Sequence, residues 1–291
     1  MVARRNVIWI GGPAGAGKST LARLLARGFG MRWYSGDTRT WDHRDRALEA
    51  GDPDARRFES LTPEQREALP PEQRDALHLT SQRRRMVLDD LARLPESPMV
   101  VADTGLLEPG MTVPAQAIWL TASPAELVAR IERRGWGERR LERARTSQRR
   151  QEEAASGVVP TLSVDDRAPD QVLSEVTRLF ANRIARGPVT TELARRRSLI
   201  REGNLWISHQ YRYGLARHGR VSELPNVTRD FDFECTDRSC REFVRLAIPN
   251  APVRAEDPLV LAPGHEPAPA GNSGGGERDR DVQHPPVPDF P

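Results

Sequence analysis

Short apolar runs alternate with longer segments of helical periodicity through the first two thirds of the chain. Each run is apolar at successive positions, which is typical of strands buried on both faces of a sheet. Strands that are separated by helices favour parallel pairing. The pattern therefore predicts an α/β fold with a five-stranded parallel sheet and helices on both faces. The predicted strands are 7–10, 31–35, 99–102, 117–120 and 158–164.

The segment 42–94, between the second and third predicted strands, is mostly polar and contains one phrase twice, at 62–69 and 70–77. Each copy has proline followed by glutamate near its start, which is a signal for the first turn of a helix. The segment is therefore predicted to be a helical insertion.

The alternation of strands and helices stops after residue 187, which predicts a first domain over 1–187 and a small α+β domain over 188–261. Helical periodicity in the first domain extends over 172–184, and in the second over 191–215. The last segment, 262–291, is rich in proline and glycine and has few large apolar side chains. Such a segment buries too little surface to offset its ordering entropy, so we expect a disordered tail.

The composition is that of a globular chain, with 37% hydrophobic and 29% charged residues, and it excludes disorder throughout. No apolar run approaches the roughly 20 residues that cross a bilayer, and the run at 7–10 is too short for a signal peptide. We therefore expect a cytoplasmic protein without a membrane partner. The two cysteines, Cys235 and Cys240, allow at most one disulfide, so stability must come from a packed core.

The basic residues number 44, and Lys18 is the one lysine among them. Arginine cannot replace a compact ammonium where a small point charge must fit among phosphates, so this position is a candidate for chemistry. The net charge is only +3, because 41 acidic residues are interleaved with the arginines. This interleaving favours a solvated, salt-bridged surface over nucleic acid as a partner.

A glycine-rich loop of the form G-x-x-x-x-G-K-[ST], the Walker A pattern, follows the first predicted strand and precedes a helix. In such a loop the backbone N–H groups surround a phosphate, Lys18 reaches the β and γ phosphates, and the Ser19 hydroxyl ligates magnesium. The alternative is a purely structural turn. The pattern predicts binding of ATP or GTP with Mg²⁺. The predicted nucleotide-binding residues are Gly12, Pro13, Ala14, Gly15, Ala16, Gly17, Lys18, Ser19 and Thr20.

Acidic residues follow the second and third predicted strands, where ligands gather at the carboxyl edge of a parallel sheet. Asp37 is a candidate for orienting a substrate hydroxyl or a magnesium-bound water, or else for a helix N-cap. Asp103, as in a Walker B element, is a candidate metal ligand, or else a structural cap. His43 and Arg44 either bind substrate or form a surface salt bridge.

An arginine-rich segment, 130–152, follows the fourth predicted strand and its helix start. Glycines on either side of Trp136 suggest a hinge, so Arg130 and Arg134 are predicted to belong to a lid that closes over phosphates. A solvated helix face is the alternative.

Residues 5–185 resemble the P-loop small-molecule kinases, which include nucleoside monophosphate, shikimate and gluconate kinases and chloramphenicol phosphotransferase-like proteins. The segment 35–37 is similar to a shortened S-T-G-D motif of adenylate kinase, and 130–134 to its R-I-x-G-R lid entry, with Arg133 in place of glycine. The paired aspartates of that lid are missing. The resemblance implies an ATP-dependent kinase that transfers the γ-phosphoryl group to a small-molecule acceptor, with Asp37 orienting the nucleophile.

Two other classes stay open: a regulatory nucleotide-binding protein without catalysis, and a polynucleotide or tRNA kinase. The C-terminal region resembles F-x-C-E-C-x-D-x-x-C segments in actinobacterial proteins of unknown role, with Phe233 where the first cysteine would be. Zinc needs four ligands, and the nearby additions are His209 and His218, so two unpaired buried thiols are the simpler expectation.

Overall fold

The computed structural model of the protein describes residues 6–108, 111–133 and 159–261. The chain divides into two compact units. The first is drawn from Met1–Ala26 and Trp33–Val189, and the second from Arg27–Arg32 and Thr190–Pro291. The arginine lid beyond Arg133 and the C-terminal tail lie outside the described residues.

A five-stranded sheet has the order β2-β3-β1-β4-β5. Strand β1 pairs in parallel with β3 and with β4, and β4 pairs in parallel with β5. This arrangement confirms the predicted fold class. The first four strands begin within two residues of their predicted starts, and the fifth is shorter than predicted. The strands are β1 (Val7–Gly11), β2 (Arg32–Ser35), β3 (Val100–Asp103), β4 (Ala117–Thr121) and β5 (Thr161–Ser163).

The apolar strands are buried because helices cover the sheet. Every residue of β1 and of β3 is buried, which explains why these strands are apolar at successive positions rather than alternately. Trp9 and Trp119 belong to one large core cluster together with Val100 and Leu91. The sheet is thus a rigid base for the loops at its carboxyl edge.

The insertion is helical as predicted, and it lies between β2 and β3. The two copies of the repeated phrase form α4 and α5, each with proline in its first turn and no buried residue. Thr62 and Gln65 form a capping box at the start of α4. The helices are α1 (Lys18–Phe29), α2 (Thr40–Glu49), α3 (Pro53–Ser60), α4 (Pro63–Ala68), α5 (Pro71–Ala76) and α6 (Thr80–Arg93).

Within the described residues, the first unit also contains α7 (Pro124–Arg133), α8 (Pro169–Leu179) and α9 (Ala181–Arg186). The sequence predicts one helix over 172–184, but the structure has two, which meet at Phe180. The Phe180 side chain is 2% exposed, and its backbone leaves the helical conformation, so the break is a packed turn.

The second unit contains a 25-residue helix, α10 (Leu193–Arg217), and an antiparallel pair of strands, β6 (Thr228–Asp232) and β7 (Phe243–Ala247). Cys235 and Cys240 are free thiols and both are buried, as expected for the simpler alternative. Among the described residues, the one group of three or more side chains suited to a metal does not include them.

Several arginines of the second unit are buried in ion pairs, so for these residues the prediction of a solvated surface is wrong. Arg27 donates to Asp232 at 3.1 Å and Arg201 donates to Glu234 at 2.7 Å, while Arg32 pairs with Glu202. Such pairs can lie inside a protein because each charge retains an opposite partner and further hydrogen bonds.

No helix in the described ranges is both long and apolar enough to cross a membrane.

Candidate functional site

The glycine-rich loop connects the end of β1 to the first residue of α1, Lys18. Three of its glycines have positive φ: Gly12 at 139°, Gly15 at 91° and Gly17 at 90°. A Cβ atom on Gly12 would also lie 2.6 Å from the carbonyl oxygen of Leu120. The spacing of the glycines is therefore required by the path of the backbone, which leaves the N-terminus of α1 facing the loop.

Lys18 lies against its own loop. Its ammonium donates a hydrogen bond of 3.0 Å to the carbonyl oxygen of Pro13, and the residue is 7% exposed. The charge is thus held at the centre of the loop, where a phosphate would accept its hydrogen bonds.

Asp103 brings the carboxyl ends of two strands together. It is opposite Ile10 in the β1–β3 register, and it is completely buried. The Ser19 hydroxyl donates to its Oδ2 at 2.8 Å and the Ser35 hydroxyl at 3.3 Å, while Trp33 Nε1 donates to Oδ1 at 2.6 Å. Asp103 therefore accepts from side chains on β2 and at the start of α1, and this use of its oxygens differs from a helix cap.

The pKa of Asp103 is raised to about 6, first by burial and then by the negative charge of Asp37. Hydrogen bonds from Ser19 and Trp33 and the charge of Lys18 act in the opposite direction. A cation placed beside this carboxyl group would favour its ionised form, since an opposite charge lowers the pKa of an acid.

Asp37 is exposed, in the turn between β2 and α2. The N-cap position of α2 is Arg39, without a side-chain cap hydrogen bond, so the N-cap alternative for Asp37 is wrong. The backbone oxygen of Asp37, rather than its carboxylate, accepts from Thr40 Oγ1 at 2.8 Å. The carboxylate thus stands at the same sheet edge as Asp103 and close enough to affect its pKa.

Arg83 is a residue of this site that sequence reasoning missed. It lies on α6 and donates from Nη2 to the carbonyl oxygen of Gly36 and to Thr40 Oγ1, both at 2.9 Å. Burial lowers the pKa of the Arg83 guanidinium, while the negative charge of Asp37 raises it. In the sequence Arg83 is one of three consecutive arginines, and nothing in that run distinguishes it from its neighbours.

His43 and Arg44 form structural contacts within the insertion. They match neither of the two predicted alternatives, which were substrate binding and a surface salt bridge. His43 is fully buried and donates from Nε2 to Asp90 at 2.8 Å. Arg44 donates to the carbonyl oxygen of Leu77 at 2.8 Å, and its guanidinium lies 3.5 Å from the centre of the Phe58 ring. Both residues hold α2 in place.

Arg130 lies on α7, three residues before its last residue, and reaches the glycine-rich loop. Its Nε donates to Glu126 at 2.6 Å, its Nη2 to the carbonyl oxygen of Val164 at 3.2 Å and its Nη1 to that of Gly15 at 3.5 Å. The residue therefore lies beside the glycine-rich loop, on a regular helix, and its closure over phosphates stays a prediction. Arg134 and the expected hinge around Trp136 lie outside the described residues.

A cavity of about 480 Å³ adjoins the glycine-rich loop and is the second feature that sequence reasoning missed. Its walls come from the loop, α1, α7 and the segment after β5, so no local motif could have indicated it. Both apolar side chains and arginines line it. The lining includes Leu21, Leu24, Leu120, Arg130, Val164, Arg167, Pro169 and Val172.

Comparison with known proteins finds a family described as the AAA domain, whose model matches residues 8–153. The match includes the glycine-rich loop, Asp37, Asp103, Arg130 and Arg134. No curated protein matches the sequence.

Three solved structures are similar in fold. TT1252 from Thermus thermophilus is 23% identical with a TM-score of 0.44, covering 61% of this chain and 96% of its own. A gluconokinase from Sinorhizobium meliloti 1021 is 18% identical with a TM-score of 0.39, covering 63% and 96%. An uncharacterized protein from Eubacterium ventriosum ATCC 27560 is 12% identical with a TM-score of 0.35, covering 61% and 99%.

Proposed function

Because the chain belongs to the AAA-domain family of P-loop proteins, we propose that it is an ATP-dependent small-molecule kinase. It transfers the γ-phosphoryl group of ATP to a hydroxyl or phosphate group of a small acceptor. The observation that supports this most directly is the hydrogen bond of 2.8 Å between Ser19 and Asp103, with Asp37 at the same edge of the sheet. Ser19 and Asp103 would supply oxygen ligands for a metal ion beside the phosphate loop, and Asp37 would supply a carboxylate for the acceptor.

The residues present fit magnesium. Mg²⁺ prefers oxygen ligands, and the Ser19 hydroxyl and the Asp103 carboxylate are oxygen donors already in contact at the start of α1. We propose that these two residues hold the ion, directly or through water. When bound, the ion would offset the charge of the β and γ phosphates.

The triphosphate would bind along the loop. Backbone N–H groups between Gly12 and Ser19 and the N-terminus of α1 attract anions, and the Lys18 ammonium, already hydrogen-bonded to Pro13, would donate to a phosphate as well. Arg130 is already at hydrogen-bonding distance from the carbonyl oxygen of Gly15. These groups would neutralise the charge that spreads over the transferred phosphoryl oxygens, which is the main demand of this chemistry.

The acceptor would lie beside Asp37. An oxygen atom of the acceptor attacks the γ-phosphorus, the bond from that phosphorus to the bridging oxygen breaks, and ADP leaves. When the attacking oxygen belongs to a hydroxyl group, its proton passes to the Asp37 carboxylate and from there to solvent. Asp37 orients the acceptor hydroxyl by accepting its hydrogen bond, since its carboxylate is exposed and is not used as a helix cap. Arg83 supports this arrangement by holding Gly36 and Thr40 on either side of the turn.

The nucleoside of ATP would occupy the cavity of about 480 Å³. Leu24 and Val172 offer apolar contacts to a base, while Arg130 and Arg167 offer donors at the rim. Glu126, the acidic residue in the lining, already pairs with Arg130. The described lining thus has no uncommitted carboxylate to read the donors of guanine, which supports ATP over GTP.

One screen tests the proposal. Purified protein with ATP and magnesium is assayed for ADP release against nucleosides, nucleoside monophosphates, sugars, shikimate-like acids, and aminoglycoside or phenicol antibiotics. We expect one class to stimulate ADP formation, with the acceptor recovered as a phosphate ester or anhydride. Nucleotide binding without stimulation by any class would overturn the kinase proposal in favour of a regulatory protein. Stimulation by oligonucleotides alone would identify a polynucleotide kinase.

A further inference from the structure

The indole of Trp33 makes an unusually direct contact with the candidate magnesium site. Its Nε1 donates a hydrogen bond of 2.6 Å to Oδ1 of Asp103. The other oxygen, Oδ2, accepts from Ser19 and Ser35 at 2.8 and 3.3 Å. The two oxygens of one buried carboxylate therefore have separate sets of donors.

Trp33 itself is held from two directions. It lies on β2, which neighbours β3 in the sheet, so its backbone is fixed next to the strand that carries Asp103. The guanidinium of Arg23, on α1, lies 5.5 Å from the centre of its ring. Arg23 is 8% exposed, so this cation–π contact is shielded from water. The indole therefore has little freedom to move away from Asp103.

A carboxylate with one oxygen bound to a rigid donor cannot exchange its two oxygens by rotation without breaking that hydrogen bond. An indole N–H is a donor only, and it can neither ligate a cation nor accept a proton at neutral pH. The indole can thus orient a carboxylate without competing for the cation. A histidine, serine or asparagine at the same place could compete, because each has an atom that can ligate a metal.

We propose that Trp33 is a positioning residue, which fixes Asp103 so that Oδ2 faces Ser19 and the magnesium ion that accompanies the nucleotide. The inference rests on the proposed function, because it requires a magnesium-bound nucleotide at the loop. It adds a residue whose effect is confined to the metal-dependent part of nucleotide affinity.

The test is to measure nucleotide affinity by calorimetry, with magnesium and with EDTA, for the wild-type protein and for Trp33→Phe. Phenylalanine keeps a ring against Arg23 and removes the N–H donor. We expect the affinity in EDTA to be unchanged, and the gain produced by magnesium to fall on the order of tenfold, as for loss of a hydrogen bond to a charged group. Trp41→Phe is the matched control, since Trp41 lies on α2 and its ring centre is 6.3 Å from that of Phe58.

A second variant separates the hydrogen bond from the packing. β-(3-Benzothienyl)alanine at position 33 has the shape of tryptophan but carries sulfur in place of N–H. We expect it to match Trp33→Phe in its magnesium response while melting close to the wild-type temperature. The indole N–H resonance that disappears in this variant should shift in the wild-type spectrum on adding ATP with magnesium, and shift less with ATP and EDTA.

The outcomes distinguish this inference from the proposed function. Wild-type protein that binds no nucleotide overturns both. If wild-type affinity depends on magnesium and both substitutions at position 33 leave that dependence unchanged, the role of Trp33 is wrong and the proposed function stands. An equal loss of affinity with magnesium and with EDTA would also overturn it, because that result indicates damage to the loop as a whole.

Discussion

The ammonium of Lys18 is hydrogen-bonded to the carbonyl oxygen of Pro13, five residues earlier in the same loop. The side chain thus closes the loop on itself, and the contact uses one of its three donors. A phosphate that enters the loop can accept from the same ammonium without a large movement of the backbone. The solitary lysine of the chain is therefore already placed for the chemistry that its loop predicts.

The first prediction concerns Lys18. We expect Lys18→Ala to abolish ATP turnover, because no other described residue of the loop carries a positive charge. Lys18→Arg should also lose most activity, since a planar guanidinium does not fit where a compact ammonium is enclosed. The measurement is acceptor-dependent ADP release, with melting temperature as the control for folding. Unchanged activity of Lys18→Ala would contradict the kinase assignment.

Arg130 and Arg134 should act mainly in the transition state. We expect Arg130→Ala, and likewise Arg134→Ala, to lower kcat by roughly tenfold to a thousandfold, with a smaller change in ATP affinity. Arg178→Ala is the matched control, because that side chain is exposed on α8 and is not part of the described lining of the cavity beside the loop. Rates are compared at two salt concentrations, since a group enclosed with phosphates is partly shielded from screening. Wild-type kcat in both variants would show that the arginines are only a solvated face.

The partly buried carboxylate of Asp90, whose side chain is 16% exposed, should make the stability of the first unit depend on pH. Burial alone would raise its pKa, but hydrogen bonds from His43 and Tyr34 and the charge of Arg46 lower it to about 2. A pKa that is lower in the folded state stabilises the protein above the unfolded value, near 3.8, and this contribution is lost as the pH falls towards 2. The shift corresponds to about 2 kcal/mol at neutral pH.

Urea unfolding of wild-type protein and Asp90→Asn at pH 7, 4, 3 and 2 measures this contribution. We expect the difference in free energy of unfolding to be largest at pH 7 and to shrink between pH 4 and 2. Asp89→Asn is the control, because its side chain is 57% exposed on the same helix. A difference that stays constant with pH would indicate that Asp90 acts through packing alone.

Truncation after residue 261 should leave both the melting temperature and nucleotide affinity unchanged. The removed segment has too few large apolar side chains to join a core, so it contributes little buried surface. Differential scanning calorimetry and nucleotide titration of the shortened protein provide the check. A large fall in melting temperature would show that the segment packs against the rest of the chain.

The fold of the first unit could be predicted because its inner strands, such as β1 and β3, are buried on both faces. Such strands appear in a sequence as unbroken apolar runs, and the glycines of the loop mark positions with positive φ that other residues rarely adopt. The break at Phe180 could not be predicted, because the residue is as apolar as its helical neighbours and only its packing turns the chain.

The location of a candidate residue could be predicted where that residue lies at the end of a strand, as Asp103 does, or in the turn after one, as Asp37 does. Trp33 and Arg83 could not be found in this way. Trp33 reaches Asp103 because β2 lies next to β3, and Arg83 reaches Gly36 because α6 packs near the turn after β2. Neither adjacency is encoded in the residues beside Trp33 or Arg83. The same reason applies to the buried arginines, whose partners are distant in the chain.

The short segment Arg27–Arg32 has a consequence for how the protein is made. Arg27 is separated from Asp232 by 205 positions, and Arg32 from Glu202 by 170. On a ribosome both arginines leave the exit tunnel long before their acidic partners are translated, so their charges must stay hydrated until synthesis is nearly complete. We expect nascent chains that end before Glu202 to be more sensitive to protease near Arg27 than the released protein. A protein of the first 187 residues alone would lack both acidic partners, so Arg27 and Arg32 would stay unpaired with them and exposed to water.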